Sequence, residues 1–306
     1  MPDTRSATIP APPIVEVERA PAPARATQSW APWLSYVSLS VVVIAIYYQV
    51  VAKLVLDWYE NPDFSHGFLV APFALYVLWE KRKVLRDTPI RQTWSGVWLI
   101  VAAIFVLFMG VYGAELFLSR LSLVMLLGGI VWTLRGRAML REVRFAILVL
   151  LLAIPIPAVL FNQITFPLQL LASRMASSLL PIFGVPVLRD GNIIQLPSMQ
   201  LEVAEACSGI RSLMSLFAVA VFYGYFLERG TWRRVILALA SIPIAVFANA
   251  ARIVGTGLCV QYWNPDKAVG FFHEFSGWLM FIISLGCLYL VHTLMRLKTP
   301  SARRIK

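Results

Sequence analysis

Charged residues are scarce in this sequence, and their scarcity excludes a protein whose whole surface faces water. Only 14% of the 306 residues are charged, whereas 59% are hydrophobic, and the mean hydropathy is +0.73. A single core with a water-facing surface needs more charge than this. The composition leaves little room for a soluble domain and predicts an all-α polytopic protein whose main partner is the lipid bilayer.

Two kinds of binding motif are also missing. The chain has three cysteines and three histidines, and they are scattered rather than placed at the spacing of metal ligands. A glycine-rich loop that would cradle phosphate groups is absent from the sequence. We therefore expect no metal and no other cofactor.

The first thirty residues lack apolar periodicity and are rich in proline and alanine, which indicates disorder. A cleavable signal peptide is not expected, because no short apolar core followed by a small-residue cleavage site lies near the start. We expect three parts: a disordered cytoplasmic tail over residues 1–33, a transmembrane domain over residues 34–296 and a basic cytoplasmic tail over residues 297–306.

Apolar segments separated by charged or turn-forming residues predict about eight transmembrane helices. The second segment is short and contains Pro72, and the fifth contains Pro155 and Pro157, which should bend or end it. The predicted spans are residues 35–56, 67–80, 94–112, 115–134, 144–161, 208–227, 235–256 and 275–295.

Basic residues outnumber acidic ones by 27 to 16, and their positions matter more than the net charge of +11. Twenty of them lie on alternate connections, in the tail before residue 34 and in the segments 81–91, 135–144, 229–234 and 296–306. The positive-inside rule places these segments and both termini in the cytoplasm, which an even number of spans satisfies. Basic membrane loops of this kind argue against nucleic acid as a partner.

The connection over residues 162–207 is the longest one on the opposite side of the membrane. Its first part, residues 165–183, has the pattern of a helix that lies in the membrane interface. Its second part predicts three short strands with turns at Asp190-Gly191 and Pro197-Ser198. We expect a small extracytoplasmic β-meander before the sixth span, to which an extended peptide could add as a strand.

The stretch AEACSGIRSL places Cys207 at the outer end of the sixth predicted span. A helix N-terminus lowers the pKa of a thiol, and Arg211, four residues on, would share the helical face of Cys207. An ordinary membrane-buried cysteine is the alternative, and it is the interpretation that we adopt for Cys259 and Cys287. A disulfide between Cys207 and Cys259 is a further alternative.

Arg252 and His273 lie on the same predicted side, near the outer ends of the seventh and eighth spans. A snorkelling arginine and a helix-capping histidine are the ordinary explanations, but such groups are costly near a membrane and often functional. Three consecutive spans thus present a cysteine, an arginine and a histidine at one depth. These groups suffice for acyl transfer: a thiolate attacks, an imidazole transfers the proton and a guanidinium stabilises the negative charge.

Four further residues are candidates for substrate binding or for support of the site: Arg211, Glu205, His66 and Asn249. Glu205 either orients Arg252 or His273 or caps a helix. His66, on the first outer loop, either closes the site or contacts the substrate.

Three segments, GNIIQLPSMQLEVAEACSGIRSL, IPIAVFANAARI and FFHEFSGW, together resemble the exosortases, membrane transpeptidase-like proteins of Gram-negative bacteria that are related to the archaeosortases. The segment SHGFLVAP, residues 65–72, is similar to the N-terminal signature of that family. The resemblance covers residues 35–295, and it includes all three candidate catalytic positions.

The resemblance implies a protein-sorting enzyme of the cell inner membrane with its active site on the periplasmic face. Exosortases are thought to recognise exported, membrane-anchored proteins with a PEP-CTERM signal, which consists of a Pro-Glu-Pro motif, a transmembrane helix and a basic tail. They cleave near the motif and transfer the new C-terminus to an acceptor, often in organisms that make exopolysaccharide.

Carried over to this sequence, the resemblance implies that Cys207 is the nucleophile, which forms an acyl-thioester, and that Arg252 and His273 complete a triad. We favour His273 for the proton transfer, since arginine stays protonated at physiological pH. The alternative, in which Arg252 donates the proton, stays open.

Two other functions compete with this one. A carrier or flippase for a polysaccharide or lipid precursor would use arginines to bind an anionic head group. It predicts polar residues deep within several spans, for which Arg120 and Asn249 are the main candidates. A membrane acyltransferase would instead use Cys207 on a lipid substrate.

Overall fold

The structure is a computed structural model that describes residues 31–203, 209–263 and 271–297, and helices dominate these ranges. Most of both predicted tails lies outside them. Within the described residues the α-helices are α1 (Ala31–Glu60), α2 (Gly67–Glu80), α3 (Arg82–Asp87), α4 (Val97–Tyr112), α5 (Leu116–Arg135), α6 (Arg137–Val149), α7 (Ala158–Leu179), α8 (Gly209–Leu227), α9 (Thr231–Tyr262) and α10 (Phe271–Leu297).

The chain divides into two compact units, residues 1–46 and residues 47–306. The first unit is described from Ala31 onwards, and this part of it is the N-terminal half of α1. Apart from the N-terminal half of α1, the elements discussed below belong to the second unit.

Five helical segments among the described residues are long and apolar enough to cross a membrane, which confirms an all-α polytopic membrane protein. They are Tyr36–Glu60, Trp94–Tyr112, Leu116–Arg135, Thr231–Tyr262 and Phe275–Leu297. A sixth span is added if one bent pair of helices is taken together. The described residues thus give five or six such spans rather than the predicted eight, because α2 has only 14 residues and the apolar segment Arg211–Leu227 is also short.

The bent pair replaces the predicted fifth span over residues 144–161. α6 continues into a 3-10 turn, Leu150–Ala153, and the chain then becomes extended at Ile154 before α7 begins. The helical segments on the two sides of this break meet at 83°. Proline lacks a backbone N–H and disfavours helical geometry in the residue before it, so Pro155 and Pro157 end the first helix. The helix predicted over residues 165–183 is formed by most of α7 and by a 3-10 turn, Leu180–Phe183.

The predicted meander is confirmed as an antiparallel sheet in the order β1 (Leu188–Asp190), β2 (Ile193–Gln195) and β3 (Gln200–Glu202). Gly191, in the first turn, has a φ of +61°, which favours glycine. One face of the sheet is buried: Ile194 and Leu201 belong to a hydrophobic cluster shared with α7 and α9. The Ser173 hydroxyl on α7 also donates to the Gly191 carbonyl oxygen at 3.1 Å, which fixes the turn to the helix.

Helices α4 and α5 pack closely because small residues face each other at their interface. A Cβ on Gly110 would lie 2.5 Å from the backbone nitrogen of Ser119, and one on Gly129 would lie 2.7 Å from the Ile100 side chain. Apolar area drives little association inside a bilayer, so close backbone approach is the usual basis of such contacts.

Candidate active site

Helices α8, α9 and α10 pack against one another, and they are the helices on which sequence analysis places the catalytic residues. Their shared core contains Leu216, Ala220, Leu237, Ala245 and Leu288. α8 begins two residues after Cys207. Cys207 and Glu205 themselves lie in residues 204–208, outside the described part of the chain.

Arg252 is the buried cation of this bundle. It lies on α9 with 3% of its surface exposed, and its Nε donates to the Ser276 hydroxyl on α10 at 3.3 Å. The guanidinium also lies against Gly277, where a Cβ would be 3.4 Å from the guanidinium carbon. Burial of a permanent charge is costly, so a cation held this far from solvent points to a functional use.

His273 lies in α10, three residues before Ser276 and four before Gly277. Positions three and four residues apart lie on one side of an α-helix. The position of His273 is therefore on the helical face whose next turn contacts Arg252. The backbone of His273 thus lies one helical turn from the residues that contact Arg252, and the third predicted catalytic position, Cys207, lies outside the described residues.

A small cavity lies beside Arg252 among the three helices. Its lining is polar at several points, with Ser212 on α8, Asn249 on α9 and Ser284 on α10. The Asn249 Oδ1 is buried and accepts no hydrogen bond from any residue that the structure describes. An unsatisfied buried acceptor is costly, and the cavity beside Asn249 has room for at most about one water molecule.

Ser212, Ser276 and Ser284 were not identified by sequence reasoning. Each is a serine within a mostly apolar helix, which is common and carries little information. Ser276 had one usable signal, its position three residues after His273 on the same helical face.

Arg211 forms an ion pair with the loop between α1 and α2. Its Nε donates to the Asp63 carboxylate at 3.3 Å, with 47% of the Arg211 side chain and 35% of the Asp63 side chain exposed. The 3-10 turn Pro62–Phe64 packs against α8, so this pair lies where the loop between α1 and α2 meets the beginning of the helix. An exposed pair of this kind contributes about 0–1 kcal/mol.

His66 is buried, and its Nε2 donates to the Leu152 carbonyl oxygen at 3.0 Å. Because a carbonyl oxygen only accepts, Nε2 carries the proton. Burial lowers the pKa of His66 below 6.5, although the hydrogen bond to Leu152 acts in the opposite direction. The contact joins the beginning of α2 to the 3-10 turn Leu150–Ala153. His66 therefore fixes the beginning of α2 to the chain just before the proline break.

A second polar network lies at the other end of the same three helices. The Glu228 carboxylate, in the connection between α8 and α9, is 5% exposed and accepts hydrogen bonds from His292 at 2.9 Å and Arg233 at 3.4 Å. Tyr223 completes the chain with a 2.7 Å hydrogen bond to Nδ1 of His292. Sequence reasoning missed this network, since Glu228 and His292 are 64 positions apart.

Within the described ranges, no group of three or more histidine, cysteine, aspartate and glutamate residues could hold a metal ion.

A family model described as transmembrane exosortase matches residues 58–290, which is more than half of the chain. No curated protein and no solved structure matches the chain.

Proposed function

Because the chain belongs to the transmembrane exosortase family, we propose that it is a membrane-embedded cysteine peptidase and transpeptidase. Family membership makes it a multi-pass, transpeptidase-like protein-sorting enzyme. Its proposed substrates are exported proteins anchored by a C-terminal PEP-CTERM signal, as expected in a cell that makes exopolysaccharide. The observation that carries the proposal is the burial of Arg252 against the face of α10 on which His273 lies.

In the proposed reaction, the Cys207 thiolate attacks the carbonyl carbon of the scissile peptide bond. The guanidinium of Arg252 stabilises the negative charge that develops on the carbonyl oxygen. The C–N bond then breaks, the leaving amine takes a proton from His273, and the substrate stays bound to Cys207 as an acyl-thioester. An acceptor amine or water then loses a proton to His273 and attacks the thioester carbonyl carbon, and the C–S bond breaks to release the Cys207 thiolate.

The proposed orientation places both termini in the cytoplasm and the beginning of α8 at the periplasmic surface of the inner membrane. The distribution of basic residues supports it. The helices also allow eight crossings: the five long apolar helices, the bent pair taken as one, and the two shorter helices α2 and α8. A substrate with a basic cytoplasmic tail would then present its scissile bond near Cys207.

The carrier alternative predicted deep polar residues, with Arg120 and Asn249 as the main candidates. Arg120 is 2% exposed, but it donates to the Asp57 carboxylate at 2.6 Å, so its charge already has a partner within the protein. This pairing gives Arg120 a structural role and leaves less support for transport of an anionic lipid.

The test of the proposed function is the processing of a membrane-anchored reporter that ends in a Pro-Glu-Pro motif, an apolar helix and a basic tail. We expect Cys207→Ala to accumulate uncleaved reporter, because no other group supplies the nucleophile. Cys259→Ala is the matched control and should process normally at equal enzyme levels in the membrane. Mass spectrometry of trapped enzyme separates a peptidyl thioester from a lipid adduct, and full processing by Cys207→Ala would refute the proposal.

A further inference from the structure

The outer edge of β3 has a defined set of free backbone groups. Val203 N–H donates to the Asn192 carbonyl, and Leu196 N–H donates to the Met199 carbonyl, both at 2.9 Å. Leu201 pairs with Ile194, midway between these two positions. Hydrogen-bonded pairs alternate along an antiparallel ladder, so Leu201 directs its backbone groups to β2, whereas Gln200 and Glu202 direct theirs away from the sheet.

Among the described residues nothing pairs with this edge, while the sheet itself is firmly packed. The Leu201 side chain is 3% exposed and lies in the hydrophobic cluster with α7 and α9. The side chains of Gln200 and Glu202 are exposed, and among the described residues no other strand or helix forms a backbone hydrogen bond with them. A fixed strand with an open edge is the arrangement to which an extended peptide adds.

The edge also leads directly to the proposed nucleophile. Cys207 follows Glu202 by five residues, which can span at most about 18 Å when fully extended. When the scissile bond of the substrate is at Cys207, the substrate residue that pairs with Glu202 is therefore at most about five residues from that bond.

We infer that the outer edge of β3 binds the extended segment of the peptide substrate as a fourth strand. This inference rests on the proposed function and specifies how that site selects its substrate. Recognition is through the peptide backbone, so the enzyme selects an unfolded, extended segment next to the membrane anchor. A segment that is folded into a helix or a compact domain has no free backbone groups to offer and is excluded.

Proline substitution tests the enzyme side of the interface. Gln200→Pro and Glu202→Pro each remove one outward N–H and leave the hydrogen bonds between β2 and β3 intact. We expect each variant, as full-length enzyme in membranes, to process the anchored reporter about two- to tenfold more slowly, as the loss of one hydrogen bond predicts. Arg189→Pro is the matched control, because the same alternation directs the Arg189 N–H to the opposite edge of the sheet.

Ester substitution in the substrate tests the other side, and it does not depend on how the proline variants fold. A synthetic probe with the motif and the anchor helix carries one amide-to-ester replacement at a time within five residues of the cleaved bond. We expect slower cleavage at every second position. Equal cleavage of all esters, or full activity of both proline variants, would overturn the inference. Failure of the wild-type enzyme to cleave the unmodified probe would refute the proposed function and this inference with it.

Discussion

At the scale of single residues, Arg252 combines deep burial with a fixed charge. The Nε of Arg252 donates to the Ser276 hydroxyl, and the guanidinium carbon lies against Gly277. Contacts with α10 therefore fix the orientation of the guanidinium plane. A lysine would keep the charge but lose the planar arrangement of donors. The geometry of the group matters here as much as its charge.

We therefore expect Arg252→Lys to slow reporter processing by roughly a hundredfold or more, the usual effect of losing one oxyanion donor. The measurement is the initial rate of processing at matched enzyme amounts in the membrane. Arg174→Lys is the control, because the Arg174 side chain is exposed on α7 and is not among the candidate site residues. Equal rates for wild-type enzyme and Arg252→Lys would show that Arg252 is only a structural cation.

His66 predicts a pH dependence of stability. Its pKa in the folded protein is lowered from 6.5 by burial, so the unfolded chain binds a proton there that the folded protein does not. The contribution of neutral His66 is complete above pH 6.5 and is lost as the pH falls towards its folded pKa. We expect the melting temperature in detergent to fall between about pH 7.5 and 5.5.

His66→Gln is the matched variant for this effect, because the glutamine amide can donate to the Leu152 carbonyl without titrating. The fall in melting temperature should be smaller in this variant than in the wild-type protein. The same fall in both proteins would assign the pH dependence to other groups.

The residue types of the site could be predicted, but their partners could not. Arg252 and His273 stand out as polar groups in apolar surroundings, which is visible in the sequence. The contact between Arg252 and Ser276 depends on how α9 and α10 are rotated against each other, which one-dimensional periodicity does not determine. Cys207 and Glu205 lie outside the described residues, so their roles stay predictions.

At the scale of secondary-structure elements, the Glu228 network ties the connection between α8 and α9 to the end of α10. Burial acts to raise the pKa of Glu228, but hydrogen bonds from His292 and Arg233 outweigh it and lower the pKa. The carboxylate is therefore charged and holds several donors in place. Arg296 adds another contact with Glu228 at 3.5 Å.

We expect Glu228→Ala to reduce the free energy of unfolding by about 1–3 kcal/mol, because it leaves the buried imidazole of His292 without its acceptor. Thermal unfolding in detergent measures the change. Glu80→Ala is the control: Glu80 accepts a 2.9 Å hydrogen bond from Tyr225 but lies at an exposed position. A melting temperature for Glu228→Ala equal to that of the control would show that the network adds no stability.

The elements differ in how well the sequence predicted them. The three strands were predicted because turn residues act locally, at Gly191 and at Pro197-Ser198. The prolines at 155 and 157 predicted a break in the fifth segment, but not its 83° angle. That angle depends on the packing of α6 and the following 3-10 turn against α2, which involves contacts distant in sequence.

At the scale of the whole molecule, the orientation in the membrane is the main prediction. Reporter fusions at Thr88 should be active only on the cytoplasmic side, and insertions at Gly191 only on the periplasmic side, because basic residues flank the first position and are few near the second. A fusion after Lys81 tests whether the 14-residue α2 crosses the membrane. Periplasmic activity at Thr88 would overturn the proposed orientation.

The length of α9 relates the enzyme to the thickness of its membrane. The helix has 32 residues and is about 48 Å long, whereas the hydrocarbon core of a bilayer is about 30 Å thick. Arg252 lies 21 residues beyond Thr231, which places it about 32 Å along the helix. In the proposed orientation, with Thr231 at the cytoplasmic boundary, the height of Arg252 is about one hydrocarbon thickness, so hydrophobic mismatch sets whether the guanidinium lies at the periplasmic boundary or below it. A thicker, more ordered bilayer would submerge the site, and a thinner one would raise it into the headgroups.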